Sequence, residues 1–135
     1  MKYKKNRGDY MGNSVGVIFH EDWENFSPLL YSHYGADLIP FQIKEYIVKY
    51  YNQYDINDND GHKYEPSHMM ASFIKFLDED IHIRIENLAD FQINKLKNEH
   101  EYPNYFDGGC WIVNISRNNY GEVIKGDTAG LMLGI

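Results

Sequence analysis

Cysteine is almost missing from this chain. Cys110 is the only one, which excludes an internal disulfide and any zinc site built on thiolates, and which suits a reducing compartment. Long apolar runs are missing too. None approaches the roughly 18 residues a membrane-spanning helix requires, and no basic-then-apolar leader opens the chain. The sequence therefore reads as a cytoplasmic protein with no membrane partner, and the sequons at Asn25 and Asn114 read as chance. Arginine is scarce as well: Arg7, Arg84 and Arg117 are the only three, and 13 Lys and Arg face 20 Asp and Glu for a net charge of −7. Bulk contact with nucleic-acid phosphates needs clustered cations, so no direct nucleic-acid binding is expected. Internal repeats, heptads, linkers and strong catalytic or cofactor motifs are also lacking. The residues favour a non-catalytic protein with no cofactor and no metal.

What is present is aromatic. The 135 residues include twelve tyrosines, seven phenylalanines and two tryptophans. Tyrosine joins an apolar ring to a polar tip and is favoured where a surface meets a partner or ligand, although tyrosines at the rim of a small core are commoner. The length fits one domain that can bury about two thirds of its unfolded surface. Residues 1–10 carry Lys2, Lys4, Lys5 and Arg7 without periodicity, and read as a basic flexible extension to a body over 11–135.

Val15, Val17 and Phe19 alternate with Gly16, Ile18 and His20, which predicts a strand over 14–20. The apolar Ile18 on the second face implies cover on both sides. A polar turn over Glu21–Asn25 leads to a second strand over 28–34, the antiparallel partner of the first. Asp37 as cap and Pro40 in the first turn open a helix over 38–53, with Ile39, Ile43, Tyr46 and Ile47 on one face. Pro66 begins a second helix over 66–79, whose apolar face holds Met69, Met70, Phe73, Ile74 and Leu77. The alternation of Ile81, Ile83 and Ile85 predicts a short strand, and Asn87 a cap for a third helix. Strands over 110–116 and 122–125 close the pattern, followed by an apolar tail, Leu131–Ile135, suited to docking on the body or on a second copy. Strands at both ends with helices between them predict an α+β domain: an antiparallel sheet with two to three helices packed on one face.

Met11-Gly12-Asn13, then Leu30-Tyr31-Ser32-His33-Tyr34-Gly35, then Ala71-Ser72-Phe73-Ile74, then Gly108-Gly109-Cys110-Trp111-Ile112-Val113 occur in that order. In this succession the chain resembles a family of small bacteriophage and prophage proteins to which no activity is attached. Ser72 stands where that family has arginine, and Ala36 follows Gly35 where a second glycine is frequent. The resemblance implies a mobile-element context rather than a chemistry.

Tyr31 and His33, two apart on a strand, share a face and form either an aromatic platform for a planar ligand or a hydrogen-bonded sheet edge. His20-Glu21-Asp22-Trp23-Glu24 concentrates metal-ligating types but lacks the spacing of His-Glu-x-x-His, so a solvated acidic turn is the plainer reading. Asp55–Gly61 resembles a calcium loop but lacks the closing bidentate glutamate. Cys110, in an apolar strand, reads as buried and inert. Arg84 either clamps a phosphate or carboxylate, or pairs with Glu86 or Asp80.

Together these features lead us to expect a phage-encoded, non-catalytic binder that sequesters a small nucleotide-derived host immune signal. Asn13, Trp23, Tyr31, His33, Tyr34 and Arg84 would line its site, with aromatics stacking on the base and Arg84 and His33 on phosphate. The alternative is an acidic protein-binding inhibitor of a host nucleic-acid-binding defence protein. The surplus of tyrosines and the apolar tail also predict a homo-oligomer, most simply a dimer.

Overall fold

The computed structural model describes residues 13–51, 65–103, 105–116, 122–125 and 131–132. The basic start at 1–10 and the Asp55–Gly61 loop lie outside them. The chain runs β1 (Val15–Glu21), β2 (Asn25–Phe26), β3 (Leu29–Ser32), α1 (Ile39–Tyr51), α2 (Pro66–Phe76), β4 (Arg84–Glu86), α3 (Asp90–Glu99), β5 (Cys110–Asn114), β6 (Glu122–Lys125) and β7 (Leu131–Met132). The strands form one sheet in the order β4-β3-β1-β5-β6-β7, with β2 paired to the far end of β1. The fold is α+β, as the sequence predicts. Every pairing is antiparallel except β1 with β5, which run parallel from Gly16↔Cys110 to His20↔Asn114. A parallel neighbour requires a long crossover, and here three helices lie between the two strands.

β1 is covered on both faces. Val15, Val17 and Phe19 point into a core formed with Leu30, Trp111 and Val113, with Ile39, Ile43, Tyr46 and Ile47 of α1, and with Met69, Met70 and Phe73 of α2. Two helices on one face match the expected packing. The opposite face, carrying Ile18, Leu29, Cys110 and Ile112, is covered by Leu96 of α3 and by Phe106. A fully buried valine, isoleucine or phenylalanine contributes about 1.5–3 kcal/mol, so the side chains of β1 alone weigh heavily in the stability of the domain. Cys110 is buried in this second core, in keeping with its apolar context.

Local chemistry fixes the register. The pairing shifts by one residue between His20↔Phe26 and Val17↔Leu30, which makes Pro28 the extra residue of a bulge. Proline has no N–H to give the ladder. Ser27 repairs the gap, accepting the Phe19 N–H on its Oγ at 3.0 Å and donating that hydroxyl to the Pro28 carbonyl at 2.8 Å.

Element ends depart from the sequence reading in several places. β1 is Val15–Glu21 rather than 14–20, and β5 stops at Asn114 rather than 116. β3 is Leu29–Ser32 rather than 28–34, so His33 and Tyr34 lie in the bend after the strand. His33 meets Tyr31 from there, not as a neighbour on one strand face. α1 begins at Ile39, with Pro40 in its first turn, and Asp37 lies in the turn before it, where the Leu38 and Ile39 N–H groups donate to the Gly35 carbonyl. α2 stops at Phe76 rather than 79. Of the isoleucine alternation, only Arg84–Glu86 is strand; Ile81 and Ile83 pack on the first core instead. α3 is capped at Ala89, not Asn87, with the Ala89 N–H donating to Gln92 Oε1 at 2.9 Å. Within the tail, Leu131–Met132 pairs with β6 and ends the sheet.

At Gly16 the second core closes directly on the backbone of β1. A Cβ there would lie 2.6 Å from the Phe106 ring. The substitution Gly16→Ala should destabilise the domain by about 1–3 kcal/mol in a denaturant titration, because the ring must shift within a packed site. Combining it with Phe106→Leu should return part of that loss relative to the sum of the single changes; strict additivity would show that the two do not compete for the same space.

Candidate functional site

The residues singled out from the sequence separate along β1. Tyr31 lies opposite Gly16 and Trp23 follows Glu21, so the two are separated by at least the Gly16–His20 stretch, about 13 Å at ~3.3 Å per residue. Tyr31, His33, Tyr34 and Arg84 gather at one end. Asn13 belongs to the same end but is buried, and its carbonyl accepts the Ala36 N–H at 3.1 Å. Its role there is to tie the segment after β3 to the start of β1. Trp23 stands alone of the six, at the opposite end.

At the first end the sheet edge creates the geometry. β4 pairs with β3 so that Arg84 lies opposite Tyr31 and Glu86 opposite Leu29. The Arg84 guanidinium sits 4.7 Å from the centre of the Tyr31 ring and 2.8 Å from Glu86 Oε1, which resolves the alternatives for Arg84: it pairs with Glu86. The Tyr31 hydroxyl is hydrogen-bonded to His33 Nδ1 at 2.8 Å, and His33 meets Tyr34 edge-on at 4.4 Å. Behind Tyr31 lies Phe106, at 5.7 Å. Tyr31 is therefore a floor beneath Arg84 rather than an open stacking face. The more exposed aromatic rings nearby are Tyr34, 40 % exposed, and Tyr105, 59 % exposed. Partial burial raises the Tyr105 phenol above its ordinary range, opposed by a hydrogen bond with Gln92; the charges of Glu86 and Arg84 are close enough to act on it.

The second end is built around Trp23. Its ring is flanked by His20 at 4.5 Å and by His100, nearly parallel, at 4.1 Å. Asp22, Trp23 and His100 are the only non-glycine residues with positive φ among the described residues. Such backbone is costly for a bulky side chain and persists only where its surroundings hold it. Here Asn114 Nδ2 and Ser116 Oγ donate to Asp22 Oδ1 at 3.0 and 2.9 Å, and the Trp23 N–H donates to His20 Nδ1 at 2.9 Å. His100 ends α3 in the left-handed region, and Lys97 reaches Glu24 at 3.6 Å. The acidic turn is thus not simply solvated: it latches the end of α3 and the end of β5 to the β1–β2 hairpin. Among the described residues no three His, Cys, Asp or Glu side chains come together as a metal would need.

Glu86, Tyr105 and His100 were not in the set drawn from the sequence. Glu86 was legible only as a possible partner of Arg84. Tyr105 and His100 lie in segments without periodicity, and nothing local sets them apart. Compared with protein-family models, with curated proteins and with solved structures, the chain matches none.

His20 makes the latch sensitive to acid. Burial lowers its pKa to about 4, against a rise from the Asp22 carboxylate and with a further lowering from His100. With Nδ1 accepting from Trp23, the neutral ring carries its proton on Nε2. The unfolded chain binds this proton near pH 6.5 and the folded chain only near 4. Stability from this residue is therefore full above about 6.5 and falls as pH drops towards 4. Chemical denaturation between pH 8 and 4.5 should show that decline, and His20→Asn, whose Oδ1 can still accept the Trp23 N–H, should flatten it.

Proposed function

We propose that the protein is a non-catalytic binder of a small nucleotide-like molecule, held at the Tyr31–His33–Arg84 end of the sheet. One observation carries this reading: a cation and an imidazole are organised around the Tyr31 phenol at an exposed sheet edge, with the guanidinium on its ring at 4.7 Å and its hydroxyl on His33 at 2.8 Å. A side chain held in place before a ligand arrives loses less freedom on binding. Tyr34 and Tyr105 offer rings on which a base can stack. The motif resemblance adds a context, a mobile element whose product would sequester a host immune signal in the host cytoplasm. A second copy of the chain fits the same reading, because a site at a subunit junction gains walls that a single sheet edge lacks.

Exposed acids at Asp78, Glu79 and Asp80 favour the second reading, an acidic inhibitor docked on a basic face of a host defence protein. That reading predicts salt-sensitive co-purification with such a protein and no small-molecule binding.

Incubation with a panel of cyclic di- and trinucleotides and ADP-ribose derivatives should raise the melting temperature for at least one member, and heating should release it chemically unchanged for mass spectrometry. Arg84→Ala or His33→Ala should weaken that binding about tenfold or more, whereas Trp23→Ala should leave the affinity unchanged. No shift across the panel, or release of an altered ligand, overturns the reading. Light scattering should give a mass about twice the 15.9 kDa of one chain.

A further inference from the structure

We infer that the ligand's heterocycle is of the guanine type and that Arg84 and Glu86 read its edge together; this rests on the binding reading above and sharpens it. Arg84 Nη2 lies 2.8 Å from Glu86 Oε1, and both side chains are open to solvent, at 65 % and 38 %. They occupy alternate positions of an edge strand, so both point to the face that carries Tyr31. A phosphate arriving at Arg84 would have to share the guanidinium with a carboxylate of its own sign. The pair is therefore a poor isolated anion clamp, and Arg84 has a different use.

Side by side, the two residues present a donor fork next to two acceptor oxygens. The complement is a planar edge with one acceptor beside two donors. Guanine has that edge, with O6 followed by N1–H and the N2 amino group. O6 can take the arginine, a pairing arginine also makes on DNA, while N1–H and N2–H feed the two carboxylate oxygens. Adenine presents one amino donor beside a ring acceptor, and that acceptor would face the carboxylate. Uracil and hypoxanthine each have a single donor there. Cytosine offers one donor followed by two acceptors, the reverse of what Glu86 needs. Opening the Arg84–Glu86 pair costs little, because exposed ion pairs are weak, and guanine replaces both halves of what is lost. Tyr105, exposed and packed against Phe106 at 4.4 Å, which in turn lies 5.7 Å from Tyr31, is a ring on which the base can lie. The phosphate then falls to His33, which is exposed and whose Nδ1 is taken by Tyr31; in the tautomer whose Nδ1 accepts the phenol proton, Nε2 carries the proton and donates.

The test is calorimetric titration of the full chain with guanosine, inosine, adenosine and their 5′-monophosphates, repeated with Glu86→Gln. Guanosine and its monophosphate should bind about tenfold or more tightly than the adenine pair, as a good bidentate base contact provides, with the hypoxanthine pair between them. Glu86→Gln, which converts one acceptor into a donor at an exposed position, should erase the preference while circular dichroism and melting temperature stay near those of the parent. Equal binding of all purines, an adenine preference, or a guanine preference that survives Glu86→Gln overturns this inference and leaves the binding reading standing, with Arg84 as a phosphate contact. Absence of binding by every nucleoside and monophosphate also overturns this inference; the binding reading falls only if the cyclic di- and trinucleotide and ADP-ribose panel is silent as well.

Discussion

The structure depends on β1 being enclosed from both sides. A strand whose residues Val15, Val17, Ile18 and Phe19 are all without exposure cannot sit at an edge or on a one-sided sheet. It needs a hydrogen-bonded neighbour on each flank, supplied by β3 and β5, and a layer of side chains above and below. The first layer comes from α1 and α2. The second comes from a shorter helix and the irregular segment after it, and there packing leaves so little room that position 16 has no side chain at all. Among the described residues, one polar constellation lies at each end of this second layer, around Tyr31 and around Trp23.

The ends are opposite in character. Around Trp23 the groups are bonded to one another: Asp22 serves Asn114 and Ser116, the buried His20 serves the Trp23 backbone, and His100 lies against one face of the indole. Their interactions are satisfied by one another, and the strained backbone is held by them. Around Tyr31 the same residue types face outward. Arg84 and Glu86 lie on the terminal strand of the sheet, where no further strand covers them among the described residues. Aromatic and histidine content is therefore similar at the two ends, but at the Trp23 end the polar groups are engaged in holding the fold together, whereas Arg84 and Glu86 hold each other on the sheet edge.

Much of the fold was legible because burial leaves periodic marks. The apolar residues of β1 on both faces predicted two-sided cover, and the threes and fours of α1 and α2 predicted the first core. The parallel pairing was not legible, since periodicity tells which side of a strand is apolar and not which strand lies beside it. Helix starts were misplaced where backbone carbonyls or a glutamine did the capping usually done by Asp or Asn: Gly35 ahead of Ile39, and Gln92 folding back on Ala89. At the candidate site, Tyr31, His33 and Tyr34 were visible as one strand-end motif, and the structure brings Arg84 to them across 53 residues of sequence through the β3–β4 register. Trp23 looked equivalent in composition and is not, because a ring already covered by two imidazoles has no face left to give.

The β1–β5 ladder also has a meaning in time. Gly16 hydrogen-bonds and pairs at the Gly109–Cys110 step, so one flank of the most apolar strand waits for a partner that lies more than ninety residues later. At a synthesis rate of roughly 5–20 residues per second, that wait lasts on the order of 5–20 seconds. During it, β3 can zip onto β1 as a local hairpin, but the opposite edge stays unpaired and able to accept any passing strand. The nascent chain is thus most vulnerable to aggregation in the interval when its central strand already exists and the parallel neighbour of that strand has not yet been made.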